Sequence, residues 1–239
     1  MKLFTPPNLL TLINLFCGCL SVLFLTGQLD SKNIPVPEVT LILMGISLLC
    51  DLLDGMVARM LNQNSEIGIQ LDSLADMVSF GLVPGVMMFQ LLDLSRTEGS
   101  FQFIYLGLFI TLFSALRLAK FNVDTEQINY FKGLATPANS IFIISLYWIF
   151  MERNYLLNKS FDQFILMGIT VISCWLLIAN IPMFSFKFKN MSWENNYYKY
   201  IFLIISIVLL AVFQMNAVPF IILLYIIISI LFRKKITHA

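Results

Sequence analysis

Charge is what this sequence has least of. Asp, Glu, Lys and Arg make up only 12% of its 239 residues, against 59% hydrophobic, whereas an ordinary soluble domain is about 25% charged. With a mean hydropathy of +0.84, that shortage excludes a soluble globular domain and leaves a polytopic membrane protein. A net charge of +1 excludes a bulk electrostatic pull towards nucleic acid. The only histidine, His238, lies in the terminal tail and is no candidate for catalysis. Cysteine is scarce too: Cys17, Cys19, Cys50 and Cys174 all fall in apolar segments, and no pair has metal-knuckle spacing. Disulfides and thiolate metal sites are therefore not expected, and the four read as small packing residues. No internal repeat and no low-complexity segment interrupts the chain. No small-x-small cleavage site follows the first apolar run, so a retained first span is expected instead of a signal peptide.

What is there is apolar sequence in lengths that cross a bilayer. Spans are expected at about 8–27, 37–60, 67–92, 101–122, 134–151, 161–184, 198–213 and 217–232, given the roughly 20 residues that a helix needs. The reading is an all-α integral membrane bundle of about eight transmembrane helices, one domain over 1–239. Its core covers about 6–190, and 198–232 form a further helical hairpin that turns at Gln214, Met215 and Asn216. With both ends in the cytoplasm, the inner side receives Lys2, Arg59, Arg117, Lys120, Lys132, Lys187, Lys189, Lys199, Arg233, Lys234 and Lys235. The outer side receives only Lys32, Arg96, Arg153 and Lys159. This asymmetry sets the orientation and supports an even number of spans. The terminal Arg233-Lys234-Lys235 reads as an anchor to anionic lipid.

Against this background four aspartates stand out: Asp51, Asp54, Asp72 and Asp76, within 26 residues. A carboxylate at helix centre costs about 2.5–3.5 kcal/mol on insertion scales, so the cluster calls for neutralisation by bound cations. Asp51 and Asp54 are three apart; Gly68, Asp72 and Asp76 step by fours. Each set shares a helix face, and a short connection from Met60 to Ile67 makes the two helices antiparallel neighbours with those faces opposed. Oxygen-only ligands favour Mg²⁺ or Mn²⁺, with Ca²⁺ a further binder, over zinc. Four carboxylates can hold two such ions, an arrangement suited to phosphoryl transfer. Gly55, Ala58 and Gly68 lie beside the acids on the same faces and leave a groove, although small residues also serve close helix packing. A cation-coupled transporter is the reading from another class. It would distribute polar groups across the bilayer depth, whereas here they gather at one side.

The pattern Asp51-x-x-Asp54-Gly55-x-x-Ala58-Arg59, eight residues, Gly68-x-x-x-Asp72-x-x-x-Asp76 resembles, at every fixed position, the signature of the CDP-alcohol phosphatidyltransferase family. The resemblance implies a helical membrane enzyme, usually a homodimer, with a dinuclear metal site on the cytosolic side of the cell membrane. It implies transfer of a substituted phosphate from a CDP-alcohol to a second alcohol, with release of CMP. On it, Asp51, Asp54, Asp72 and Asp76 ligate the metals and Asp76 doubles as general base. Gly55, Ala58, Arg59 and Gly68 line the CDP groove with Asp54 and Asp72, and Asn8 and Thr11, which share a helix face, reach the nucleotide. A plain N-cap role for Asn8 is the competing reading.

Further stretches resemble the serine-accepting branch of that family. They include Pro7-Asn8-Leu9-Leu10-Thr11, Asn14-Leu15-Phe16-Cys17-Gly18, Ser79-Phe80-Gly81, Arg117-Leu118-Ala119-Lys120-Phe121-Asn122, Phe131-Lys132-Gly133-Leu134 and Ser185-Phe186-Lys187. Lys120 stands where the branch has arginine, and Ala135 where it has proline. The implied substrates are CDP-diacylglycerol and L-serine, with glycerol 3-phosphate or inositol as other acceptors within the family. Serine needs a cation for its carboxylate, and Arg117, Lys120 and Lys132 are the candidates, with arginine able to grip in two places. Topology alone also puts cations there. Asn122 is a further candidate for the acceptor site, or a helix C-cap.

Overall fold

The computed structural model describes residues 3–29, 35–63, 65–97, 101–124, 130–153, 159–185 and 193–238. Lys2, Lys32, Lys187, Lys189 and Phe186 lie outside the described residues. The helices are α1 (Pro6–Leu25), α2 (Val36–Met60), α3 (Glu66–Asp76), α4 (Val83–Leu94), α5 (Phe109–Val123), α6 (Thr136–Arg153), α7 (Lys159–Ile178), α8 (Trp193–Phe213), α9 (Val218–Leu231) and α10 (Arg233–His238). A π-helical turn, Met77–Leu82, joins α3 to α4 in one rod, and a 3₁₀ stretch, Phe101–Leu108, leads into α5. Six helical stretches among the described residues are long and apolar enough to span a bilayer, and Thr136–Met151 is a shorter apolar one. The stretch Asn196–Leu231 is α8 folded back on α9. Phe232 stacks on Tyr198 and Phe202 meets Tyr225, and the reversal sits at Gln214, whose φ is +51°.

Lipid, not water, surrounds most of this surface, so the helices bury their small and polar faces and turn their large side chains outward. α1 buries Asn8, Thr11, Asn14, Gly18 and Ser21 while Leu9, Ile13 and Phe16 are exposed. α2 likewise buries Thr40, Met44, Ser47, Cys50 and Asp54. Small residues permit close approach: a Cβ added at Gly18 would lie 2.5 Å from Ser79 Oγ, and one at Gly107 2.3 Å from the backbone nitrogen of Phe89. The π-helical turn precedes Pro84, which opens α4. Proline lacks an N–H and its ring crowds the carbonyl four residues back, so the ladder widens there instead of breaking.

Two features differ from the sequence expectation. First, α2 and α3 turn their acid-bearing faces towards each other, as expected, but across a gap instead of in close contact. α1 packs along α2 and also against α3 and the π-turn, and α2 and α3 make few direct contacts. Second, the bundle carries a small antiparallel clasp, β1 (Tyr130–Lys132) paired with β2 (Pro182–Phe184), which ties the α5–α6 connection to the α7–α8 connection. Gly133 follows β1 with φ +77°. Its N–H donates to Ile181 O at 2.8 Å and that of Leu134 to Leu176 O at 2.9 Å, so the clasp also caps the end of α7. Phe184 anchors it in a second hydrophobic cluster with Tyr198, Phe202 and Tyr225, whose hydroxyl donates to Phe184 O at 2.9 Å.

Candidate active site

The acids lie near the α2–α3 connection. Asp51 and Asp54 precede the end of α2 by nine and six residues, and Asp72 and Asp76 follow the start of α3 by six and ten. At a rise of 1.5 Å per residue all four fall within about 15 Å of that end of the bundle. Ser65 starts α3 by accepting the Gly68 N–H at 3.0 Å, the usual service of an N-cap serine.

Three of the four converge. Asp51, Asp72 and Asp76 each place a carboxylate oxygen so that all three lie within 4.8 Å of one another. Among the described residues neither ion pair involves them: these are Arg96 with Asp93 and Lys132 with Asp124. Asp72 Oδ1 is buried without a hydrogen-bond partner. Clustered anionic oxygens without a paired cation, one of them orphaned, fit a hard divalent ion. Asp54 stands beside this cluster, 7% exposed, and accepts a hydrogen bond from Thr11 Oγ1 at 2.5 Å.

The gap between α2 and α3 is a groove of about 180 Å³. It is lined by Asn8 and Thr11 from α1, Asp54, Gly55 and Ala58 from α2, and Gly68 and Asp72 from α3, together with Pro7, Gln63, Ser65 and Ile69. Gly55 is informative, because a Cβ there would meet nothing within 4 Å. Helix packing therefore does not require glycine at that position. Gly68 is tighter, with an added Cβ 3.2 Å from Ser65 Oγ and 3.3 Å from Asn8 Oδ1. Asn8 is not the helix cap; Thr5 is, its hydroxyl accepting the Asn8 N–H at 3.5 Å. The Asn8 amide nitrogen donates to Leu3 O at 2.8 Å. Arg59 is exposed on the last turn of α2 and is not among the lining residues.

The cations separate. Arg117 is 7% exposed, lies over the Phe121 ring at 5.2 Å and is close enough to Asp76 and Tyr225 to interact electrostatically. Its Nη1 donates to Thr136 Oγ1 at 3.2 Å. Among the described residues that is its one hydrogen bond, although a guanidinium carries five N–H donors. Lys120 is instead tied to Asn180 Oδ1 at 2.7 Å and to Ile178 O, the last residue of α7, at 3.4 Å. Lys132 pairs with Asp124 at 3.0 Å. Asn122 is exposed and donates to Ser73 Oγ at 2.8 Å; α5 ends at Asp124, so Asn122 is not its cap.

Sequence reasoning passed over Asn14 and Ser47. Asn14 Nδ2 donates to Asp76 Oδ1 at 3.3 Å, and Ser47 Oγ donates to Asn14 Oδ1. The signal was present: Asn14 continues the Asn8–Thr11 stripe at the next three-residue step, and Ser47 lies one turn before Asp51.

Comparison with known proteins meets the same chemistry. Residues 4–179 match the family described as CDP-alcohol phosphatidyltransferase. A CDP-diacylglycerol–serine O-phosphatidyltransferase of Helicobacter pylori (strain J99) is 27% identical over 208 residues, covering 86% of this chain and 82% of the relative. The protein of the same name from Methanocaldococcus jannaschii is 30% identical over 172 residues, 72% of this chain and 73% of the relative. An archaetidylserine synthase of Methanothermobacter thermautotrophicus is 33% identical over 144 residues, 59% of this chain and 57% of the relative. With the match running from before α1 to the end of α7 and enclosing all four acids, the chain belongs to the CDP-alcohol phosphatidyltransferase family.

Proposed function

We propose that this protein transfers the phosphatidyl group of CDP-diacylglycerol to the hydroxyl of L-serine, giving phosphatidylserine and CMP. One juxtaposition carries the reading. A cluster of three carboxylates has a groove lined by small residues on one side and, towards Asp76, a buried arginine with donors to spare. The relatives whose names specify serine as acceptor support it.

Asp51, Asp72 and Asp76, with Asp54 beside them, would hold divalent ions, which we take to be two Mg²⁺ or Mn²⁺; members of the family depend on divalent metal. When bound, such ions supply positive charge to the diphosphate and to the leaving CMP oxygen. The chain's own residues do the rest. Gly55, Ala58 and Gly68 leave room for the cytidine diphosphate, and Asn8 and Thr11 form the α1 side of its groove. Arg117 takes the carboxylate of serine. Asp76 accepts the proton of the serine hydroxyl, whose oxygen bonds to the phosphorus that bears the diacylglycerol as the bond from that phosphorus to the CMP oxygen breaks. Transport is disfavoured because the clustered carboxylates lie together near one end of the bundle instead of being spread along its depth. The site opens to the cytosol of a cytoplasmic membrane on the lysine and arginine asymmetry. On the family resemblance the assembly is a homodimer.

The test is CMP release by purified protein given CDP-diacylglycerol, Mn²⁺ or Mg²⁺ and each alcohol in turn. Release with L-serine, abolished by EDTA and by Asp76→Asn and restored from EDTA by either metal, is expected. Release with glycerol 3-phosphate or inositol and none with serine overturns the acceptor. Undiminished turnover after exhaustive chelation overturns the metal site.

A further inference from the structure

Asn14 has no part in the groove, the metal-fitting cluster or the acceptor cation, yet it is fully buried and bonded to Asp76. It is gripped at three points. Its Nδ2 donates to Asp76 Oδ1 at 3.3 Å, its Oδ1 accepts from Ser47 Oγ, and its backbone oxygen accepts from Ser79 Oγ at 3.0 Å. Ser47 and Ser79 are themselves fully buried. The contacts come from α2 and from the π-turn that follows Asp76, so α1, α2 and the α3–α4 rod meet at this amide. The packing there is close, since the next turn of α1 brings Gly18 against Ser79.

A primary amide has two ends of nearly the same shape and opposite polarity. Turned the wrong way, the Asn14 oxygen would face the Asp76 carboxylate and repel it. The Asp76 carboxylate, an acceptor only, selects the NH₂ end, and the Ser47 hydroxyl completes the arrangement by donating to the oxygen that is left. One Asp76 oxygen then already accepts an N–H, which fixes the plane of the carboxylate. We propose that the Ser47–Asn14 pair positions the catalytic base: Asn14 holds Asp76 Oδ1 and with it the orientation of the carboxylate towards the acceptor. This rests on Asp76 acting as the base.

The experiment compares full-length Ser47→Ala, Ser47→Thr, Asn14→Ala and the Ser47→Ala/Asn14→Ala double variant with wild type. It measures kcat and KM for both substrates, CDP-diacylglycerol binding by calorimetry, and Tm. Ser47→Ala should lower kcat about tenfold and Asn14→Ala about a hundredfold, with CDP-diacylglycerol binding within about twofold of wild type. Ser47→Thr, which keeps the hydroxyl, should recover most of kcat, and the double variant should be no worse than Asn14→Ala alone. Unchanged kcat in Asn14→Ala overturns the proposal. So does a loss of kcat matched by equal losses of CDP-diacylglycerol binding and Tm in Ser47→Ala and Ser47→Thr alike, which marks a packing role. Retained turnover in Asp76→Asn removes the base and the inference with it. If wild type releases CMP with another alcohol and not with serine, the serine reading falls and the same comparison made with that alcohol decides the inference.

Discussion

Arg117 and Lys132 carry the same formal charge in the sequence and have different surroundings in the structure. Lys132 faces Asp124 at 3.0 Å, and Lys120 reaches Asn180 and the end of α7. Both act as local ties of the clasp and of the α7 terminus, where a cation also meets the negative end of the helix dipole. Arg117 is buried with one hydrogen bond made, within electrostatic range of Asp76. Hydrogen bonds to charged groups contribute about 1.5–3 kcal/mol, so Arg117→Ala should raise the KM for serine by about ten- to a hundredfold. Arg117→Lys should recover little, because an ammonium cannot reproduce a two-pronged grip. The KM for CDP-diacylglycerol should stay near wild type in both. Steady-state kinetics with each substrate varied in turn checks this, and an unchanged serine KM in Arg117→Ala removes the residue from the acceptor site. The acids were legible in the sequence because a buried carboxylate is anomalous wherever it falls in a bilayer. The cations were not, because inner connections collect lysine and arginine for topological reasons alone. Only contacts such as that of Lys120 with Asn180, 60 residues away, tell them apart.

At the scale of elements, the length of the apolar runs located every helix that builds the site but left the joints unseen. The clasp has two three-residue strands, too short to show alternation, and the π-turn inside the third rod looks in sequence like any apolar helical stretch. Gly133 is where the clasp becomes testable. Its φ of +77° costs a residue with a side chain about 1–2 kcal/mol. A Cβ there would also stand 2.8 Å from Ala179 O and 2.9 Å from both Leu176 O and Leu177 O, and backbone oxygens cannot swing aside. Gly133→Ala should therefore lower the Tm in detergent by several degrees, since about 1 kcal/mol corresponds to about 2–4 °C at this chain length. A melting curve that overlays the wild type would mean that the clasp does not hold the end of α7. The groove was legible in Gly55, Ala58 and Gly68, which line it as expected; the wide spacing of α2 and α3 was not. A short connection between two amphipathic helices implies that they pack together, whereas in the structure α1 lies against both and the groove runs between them.

Taken whole, the molecule gathers its carboxylate cluster and groove at one end, and its proposed function depends on which side of the membrane that end faces. The carboxylates, the groove, Arg117 and the clasp all lie at the end reached through the α2–α3, α5–α6 and α7–α8 connections, and the α1–α2 connection lies at the other end. On the proposed reading the asymmetry of lysine and arginine turns that end to the cytosol, where a water-soluble amino acid and a nucleotide-activated lipid headgroup can meet. Single cysteines in a background lacking Cys17, Cys19, Cys50 and Cys174 test the assignment, at exposed Gln28 after α1 and at exposed Gln63 after α2. In intact cells a membrane-impermeant maleimide should label Gln28→Cys and leave Gln63→Cys unlabelled until the membrane is opened. The opposite pattern would put the carboxylate cluster outside the cell, away from cytosolic nucleotide chemistry, and the cytosol-facing transfer would fall with it. Labelling of both positions in intact cells would mean that α2 does not cross the bilayer. That result would undo the placement of Asp51 and Asp54 at one end of a span, and with it the argument that a bilayer surrounds the acids and makes bound metal their counter-charge.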